Sequence, residues 1–464
     1  MVRYPENRHY ETMQKNEYGS SYKGGGDMKA LGLDIGTTTI SAAVLDREDG
    51  SVCDAKTVAN QCFIDRGNEW ERIQDVDRIM EKALAVADEM IDTWEDIGTI
   101  GLTGQMHGIL YFDEDGNCVS PLYTWQDGRG NLKEDGGRSV VEEIRDVCGI
   151  WTASGYGLVT HIYNRRHGLV PESAVGFCTI GDYLGMKLTG RKKPLMHAGM
   201  ADSTGLFDAQ KACYRTDALE KLGMSADLCM LPEVREDFAK LGEFRGRPVT
   251  AAMGDNQAAF LGAAGFTPNA VLVNMGTGGQ ISILSDQYFT APGIEARPFT
   301  PGRYLLAGSA LCGGRAYAIL EKFFRAFAQK IGAGSEPLYD VLGSLAEEGM
   351  QLEDPMRAVT TFAGTRVDPS LRGSISNISE DNFTPASLTW AVMDGMAQEL
   401  YQMYETIHEG TGITADHLIA SGNGLRMNPM LQEMFRKKFG VDLSMSRYKE
   451  EAACGAAVSS YTEM

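Results

Sequence analysis

The stretch that decides the fold is LGLDIGTTTISAAVLD, Leu31 to Asp46. Leu31, Leu33, Ile35, Ile40, Ala42 and Val44 give it the apolar content of buried strands, yet Asp34 sits inside it. Gly36, Thr37, Thr38 and Thr39 follow almost at once. It reads as strand, tight turn, strand. From Ile73 the apolar positions Val76, Met80, Ala83, Ala87, Met90, Ile91 and Trp94 recur at helical spacing. A short apolar strand, IGTIGLTG (97–104), then ends in Gln105-Met106-His107-Gly108. Strand, helix, strand with polar or glycine residues at the strand ends is an α/β pattern. In such sheets ligands collect beyond the carboxyl ends of strands, which predicts that the 36–39 turn and the 104–108 segment lie near one another.

The device recurs about 240 residues later, a spacing far longer than the unit of a solenoid. AVLVNMGTGGQISILS (270–285) is again an apolar strand, a turn at Gly276-Thr277-Gly278-Gly279, and a returning strand. Two copies so far apart predict two related domains. Between them, helix patterns run through Asp182–Leu188 and Thr216–Leu222. In the last third, Thr384-Pro385 has the composition of an N-cap and first turn. Asn428, Pro429 and Gly440 would cap, open and end a further helix.

A polyphosphate needs backbone donors and hydroxyls, which a glycine–threonine turn supplies. An aspartate beside it repels phosphate directly but can face it through Mg²⁺, whose ligands are carboxylate, water and phosphate oxygens. Asp34 therefore makes sense under a Mg–nucleotide, with the 276–279 turn as a second grip. A lone turn of this kind is as readily an ordinary hairpin; the pair favours the nucleotide. There is no GxxxxGK[ST], and no GxGxxG opening a helix after a strand; GNGLRM (422–427) has only the first half of that pattern. In AAMGDNQAAFLGA (251–263), Asp255 is either a buried cap on the helix starting at Asn256 or a general base for a substrate hydroxyl. The second phosphate turn's strand begins about 15 residues later, which favours the base.

The chain has 464 residues, 43% of them hydrophobic, length enough for two large domains. Its net charge of −20 disfavours nucleic acid or an anionic membrane as a partner. Nine scattered cysteines, an odd number without metal-ligand spacing, suit a reducing cytoplasm rather than a disulfide framework. No apolar run reaches membrane-spanning length. Residues 1–27 are polar, unlike a secretory signal, and read as a flexible arm.

Five motifs in order, LGLDIGTTTISAAVLD, GLTGQMHG, MGDNQAAFLGA, VNMGTGGQIS and SGNGLRMNP, resemble the FGGY family of carbohydrate kinases from about Lys29 onward. GQMHG resembles the xylulokinase branch. PLYTWQDGRG (121–130), SGYGLVTHIY and TIGDYLGMKLTG resemble the sedoheptulokinase branch. The resemblance implies an α/β fold of two actin-like (ribonuclease H-like) domains with a nucleotide and sugar cleft between them, here 28–248 and 249–464. It implies ATP-dependent phosphorylation of a ketose, sedoheptulose first and xylulose or another pentulose as the alternative, with ATP and Mg²⁺. It implies Asp34 at the metal and Gly36, Thr37 and Thr38 at the phosphates. Gly276, Thr277 and Gly278 would be a second phosphate contact. Gly422, Asn423, Gly424 and Asn428 would lie around adenosine, with Gly313 and Gly314 nearby. Met106, His107, Trp125, Asp127, Asp255 and Asn256 would line the sugar pocket, with Asp255 as base. The residues alone also allow His107 as a hydrogen-bonded strand-end histidine and Trp125 as core. Two departures stand out: Asn377 replaces an expected glycine in GSISNISEDNFTPASLTWAVMDG, and Asn423 stands where glycine is common. A non-catalytic ATP-driven switch or a sugar sensor on the same fold is the alternative from another class. Oligomeric state is left open, a homodimer being one arrangement.

Overall fold

The computed structural model describes residues 28–462 except 135, 366, 367 and 369. The expected arm, residues 1–27, lies outside the described residues. The chain forms two compact units. The first ends at Gly262 and takes back the chain from Glu450; the second is Ala263–Lys449. The border expected at 248/249 thus falls inside the first unit's sheet. In chain order, the first unit's frame is β1 (Lys29–Ile35), β2 (Thr39–Asp46), β3 (Val52–Ala59), α1 (Val76–Thr93) and β4 (Ile97–Gly104). It continues with α2 (Ile180–Thr189), β5 (Lys240–Phe244), β6 (Arg247–Thr250), β7 (Met253–Gly254) and α3 (Asp255–Ala264), whose last residues begin the second unit.

The sheet runs β5-β6-β4-β1-β2-β3, with β7 also paired to β4. The hairpin pairs Ile35 with Ile40 and Asp34 with Ser41, and β4 lies parallel to β1 with Ile35 opposite Gly104. Strand side chains alternate between faces. Leu31, Leu33 and Ile35 enter one core with Ile79, Ala83, Ile180 and Leu184 from α1 and α2. Gly32 and Asp34 point to the other face. The helix read from Ile73 to Trp94 forms as Val76–Thr93, capped by Asp75, whose side chain accepts from the Arg78 N–H. Ile73 lies instead in a two-residue strand, because its buried side chain packs in a separate lobe. That lobe is inserted between β4 and β5, with a core of Tyr111, Tyr123, Ile144, Leu158 and Phe177.

The second unit comprises β8 (Ala270–Met275), β9 (Gly279–Ser285), β10 (Ile294–Thr300), β11 (Arg303–Ala310), α4 (Gly314–Lys330) and α5 (Tyr339–Gly349). It continues with α6 (Pro385–Thr411), β12 (His417–Ser421), α7 (Asn423–Arg426), α8 (Pro429–Phe439) and β13 (Leu443–Met445). Its sheet order is β10-β11-β9-β8-β12-β13. Strands β11-β9-β8 are antiparallel and β8-β12-β13 parallel, the same succession as β3-β2-β1-β4-β6 in the first unit. The repeat read from the two turns is thus a repeat of topology. Thr384 caps α6 and Pro385 opens it; Asn428 caps α8 and Gly440 ends it at φ 67°. Asn377 adopts φ 58°, the left-handed region asparagine tolerates better than most residues. Its amide donates to Asp354 Oδ1 at 2.7 Å, which supports the exchange for glycine.

The chain then returns to the first unit as α9 (Glu451–Ser459). It lies against β1 and β4 at backbone contact. A Cβ on Gly32 would stand 1.8 Å from the Ala453 carbonyl oxygen, and one on Gly101 1.7 Å from that of Ala456. Gly455 and Gly262 let α9 and α3 touch in the same way. All nine cysteines are free thiols, and no helix among the described residues is long and apolar enough to cross a membrane.

Candidate functional site

Three parallel strand ends of the first unit lie side by side. Asp34 is opposite Thr103, and Gly254 of β7 is opposite Gly104. The chain leaves these ends as the 36–39 turn, as Gln105-Met106-His107, and as Asp255, the first residue of α3. The predicted closeness of the first two segments is observed: the Gln105 N–H donates to the Ile35 carbonyl at 2.9 Å. Gly254 has no room for a side chain, since a Cβ would meet Met106 Sδ at 2.7 Å.

The turn is tied from its inner side. Asn60 Nδ2 donates to the Gly36 carbonyl at 2.8 Å, and the Asn60 N–H donates to that of Thr38 at 2.8 Å. Gln74 Nε2 donates to the Thr37 carbonyl at 2.8 Å. Gln105 Nε2 donates to Gln74 Oε1 at 2.9 Å, and Thr37 Oγ1 donates to Gln105 Oε1 at 3.3 Å, closing a ring of three residues through the Thr37 carbonyl. Both glutamines are buried. Trp125 donates its indole N–H to Thr37 Oγ1 at 2.9 Å while remaining 47% exposed, so it is not core.

Asp34 carries the strongest electrostatic signature at the turn. Burial raises its carboxyl from the ordinary 3.8 to about 8, with the negative charges of Asp255 and Glu450 adding to the shift. Its Oδ1 is sealed from solvent and lacks a hydrogen-bond partner. An orphaned carboxylate oxygen among like charges fits a cation. No group of three metal-ligating side chains exists among the described residues.

His107 holds φ 73°, a conformation rare for this residue and stored where surroundings over-determine it. Its N–H donates to Ser203 Oγ at 2.9 Å, and Nδ1 lies 2.7 Å from the Ser203 carbonyl. That contact needs a proton on Nδ1, which makes Nε2 the acceptor of the neutral ring. The ring stacks on Tyr156 with centroids 4.4 Å apart. Tyr156 was not among the expected residues. It is delivered by Gly155, where a Cβ would stand 1.9 Å from the Trp125 carbonyl oxygen. Asn256 Oδ1, next to Asp255, is buried without a partner.

Asp127, expected at the sugar pocket, is bonded within its own loop and to Arg72. Its Oδ1 accepts from Arg129 N–H (3.1 Å) and Nε (2.7 Å), and its Oδ2 from Arg72 N–H (3.0 Å) and Arg129 Nη2 (3.1 Å). All four lone-pair positions of the carboxylate are taken, and its side chain is fully buried. It builds the floor of the loop that carries Trp125.

The second unit gathers its glycines at the carboxyl ends of β8 and β12. Gly314 N–H donates to the Gly276 carbonyl at 2.9 Å and Arg315 N–H to that of Thr277 at 3.0 Å. Gly313 can have no Cβ, because it would stand 2.3 Å from the Gly278 carbonyl carbon. The glycine pair thereby brings the N-terminus of α4 against the 276–279 turn, with the first N–H groups of the helix bonded to the carbonyls of the turn. Gly422, at φ 83°, and Gly424 press on the Met275 carbonyl in the same manner. Asn423 is the exposed first residue of α7 and needs no positive φ, so asparagine is accommodated where glycine is common. Asn428 accepts from the Leu431 N–H at 3.1 Å, and the nearby Tyr317 hydroxyl is raised to about 12 by burial.

Two family models meet this geometry end to end. The N-terminal domain of the FGGY family of carbohydrate kinases matches residues 29–272, and its C-terminal domain matches 271–461. The chain belongs to the FGGY family. FGGY kinases transfer phosphate from ATP to a carbohydrate alcohol, and this chain is an ATP-dependent carbohydrate kinase. It is similar to mouse sedoheptulokinase, 28% identical with 92% of this chain and 96% of the mouse protein covered. It is also similar to glycerol kinase of Bradyrhizobium diazoefficiens, at 27% over 92% and 88%. In fold it is similar to the solved xylulose kinase from Rhodospirillum rubrum, with a TM-score of 0.78, 21% identity, and 93% and 89% coverage. The FGGY fold of two actin-like α/β domains, expected from the family resemblance, is the fold observed.

Proposed function

We propose that this FGGY kinase phosphorylates a ketose at a terminal hydroxyl, with sedoheptulose as substrate and sedoheptulose 7-phosphate as product. The observation that carries the reading is Asp255 at the head of α3, beside the orphaned Asn256 Oδ1 and at the strand ends that also hold Asp34 and His107. The likeness to mouse sedoheptulokinase over nearly the full length of both chains supports the heptulose.

In this reading Asp255 accepts the proton of the attacking hydroxyl. The substrate oxygen bonds to the γ-phosphorus as the bond from phosphorus to the ADP oxygen breaks, a transfer governed by positioning and electrostatics. Asn256 Oδ1 accepts from a sugar hydroxyl, His107 Nε2 accepts from another, and the exposed face of Trp125 packs on C–H surface. Asp34 would hold Mg²⁺, which when bound would supply positive charge to the phosphate oxygens. Gly36, Thr37 and Thr38 donate to phosphate, as do Gly276, Thr277 and Gly278. Gly313, Gly314, Gly422, Asn423, Gly424 and Asn428 surround the adenosine.

A pentulose is the second reading, favoured by GQMHG and by the fold likeness to xylulose kinase. ADP release measured with sedoheptulose, xylulose, ribulose, fructose and glycerol separates the two. The heptulose reading requires the highest kcat/KM with sedoheptulose; a higher value with xylulose overturns it. Sugar binding without ADP release would make the chain a sensor.

A further inference from the structure

Gln105 follows β4, is buried, and takes no part in the transfer described above. Its bonds run in one direction only. Buried Gln74 donates Nε2 to the Thr37 carbonyl, an oxygen that can only accept. Gln74 therefore presents Oε1 to Gln105, which meets it with Nε2 at 2.9 Å. Gln105 Oε1 is left for Thr37 and receives the hydrogen of its hydroxyl, at 3.3 Å. At the far end the Trp125 indole N–H, which can only donate, bonds to the same hydroxyl oxygen at 2.9 Å. Turning either amide over would set two acceptors face to face, so the network has one polarity.

The two ends of this network come from the same part of the chain. Gln74 lies on the short strand Ile73–Gln74, which pairs with Leu122–Tyr123, two residues before Trp125. The inserted lobe thus grips Thr37 twice, at its carbonyl through Gln74 and at its hydroxyl through Trp125. Gln105 stands between them and comes from the end of β4 in the frame. We propose that Gln105, with Gln74 behind it, is a positioning residue that commits the Thr37 hydroxyl to Trp125, so that a residue of the phosphate turn sets the place of the sugar-side ring. This role rests on the sugar contact of Trp125 given above. The hydroxyl hydrogen of Thr37 is spent on Gln105, and what Thr37 gives to phosphate is its backbone N–H.

Steady-state kinetics of the full chain with sedoheptulose and ATP, together with the indole N–H resonances of the free protein, test this. Gln105→Met leaves an apolar chain of similar length and frees the Thr37 hydroxyl to turn. KM for the sugar is expected to rise about fivefold, with kcat and KM for ATP within about twofold, since the ring packs on the sugar alike in ground and transition state. Thr37→Val is expected to give the same split. In a Trp125→Phe background, Gln105→Met should move the sugar KM by less than about twofold. The indole resonance that Trp125→Phe removes is expected to shift upfield and to exchange faster with solvent in Gln105→Met. A rise in KM for ATP with Thr37→Val, at an unchanged sugar KM, would return the hydroxyl to the phosphate and overturn the proposal. Losses that multiply with Trp125→Phe overturn it too, as does an indole resonance that Gln105→Met leaves in place. If Gln105→Met fails to fold, Gln74→Met is read by the same resonance, with a shift expected and an unmoved peak overturning the proposal. A shifted resonance in a protein that releases no ADP with any ketose would leave the positioning of Trp125 standing and overturn the ketose reading instead.

Discussion

The indole of Trp125 donates to the hydroxyl of Thr37 at 2.9 Å, so a side chain expected at the sugar is bonded to one expected at the phosphates. Behind Thr37 stand Gln105 and Gln74, both buried and bonded to each other. A neutral hydrogen bond of this kind contributes about 1 kcal/mol. Trp125→Phe keeps the ring and removes the donor, and is expected to lower kcat/KM for the sugar about fivefold. In a Thr37→Val background the same change should cost little more. Losses that simply multiply would show the two side chains act independently.

Asp255→Asn keeps shape and removes the base. Turnover is expected to fall about 10²–10⁴-fold, with sugar and nucleotide binding retained by calorimetry. Near-parental turnover would take Asp255 out of the reaction.

Asp34 links pH to both metal and stability. A proton must leave a carboxyl that titrates near 8 before a cation binds. The Mg²⁺ concentration for half-maximal rate is therefore expected to rise toward tenfold per pH unit below about 8. Glu450→Gln removes one of the charges that raise Asp34, so the same curve should move to lower pH. A Mg²⁺ requirement independent of pH between 6 and 8 would contradict a metal at Asp34.

For stability the sign is opposite to that of an ion-paired aspartate. The folded pKa is raised, so the group's contribution is fully present below about pH 4 and is lost as pH rises to about 8. The slope is at most ~1.4 kcal/mol per unit. In chelator, Asp34→Asn should melt above the parent at pH 8 and converge with it at pH 4. Parallel melting curves at all pH values would contradict the shift.

Gly32→Ala places a methyl group 1.8 Å from the Ala453 carbonyl oxygen, and backbone cannot step aside as a side chain end can. Either α9 lifts or the strand bends, at a cost of about 1–3 kcal/mol and a melting point lower by about 2–5 °C. Scanning calorimetry checks it; an unchanged midpoint would mean that α9 is loosely held.

The parts of the candidate site that were legible are those written within a few consecutive residues. Asp34 and its turn, the 276–279 turn, and Asp255 stand out because glycine, hydroxyl and carboxylate interrupt apolar strands, and local geometry follows from that. Tyr156 and Gln74 carry no such signal. Tyr156 reaches His107 because Gly155 lets its segment approach the backbone of Trp125, a fact about packing between distant segments. The bonding of Asp127 was hidden for the converse reason. Beside Trp125 it looks like a pocket carboxylate, and only the fold turns its oxygens to Arg129 and Arg72.

By itself the chain's order of residues determined the two sister sheets, since alternating apolar residues broken twice by the same glycine–threonine turn can pair in few other ways. Only the tertiary structure decided that the last helix leaves the second unit for the first. EAACGAAVS, Glu451 to Ser459, shows no apolar stripe to aim it. Its destination is set by Gly32, Gly101 and Gly262, which leave space where a backbone can lie against a backbone, and close packing is a property of surfaces that meet rather than of either segment alone.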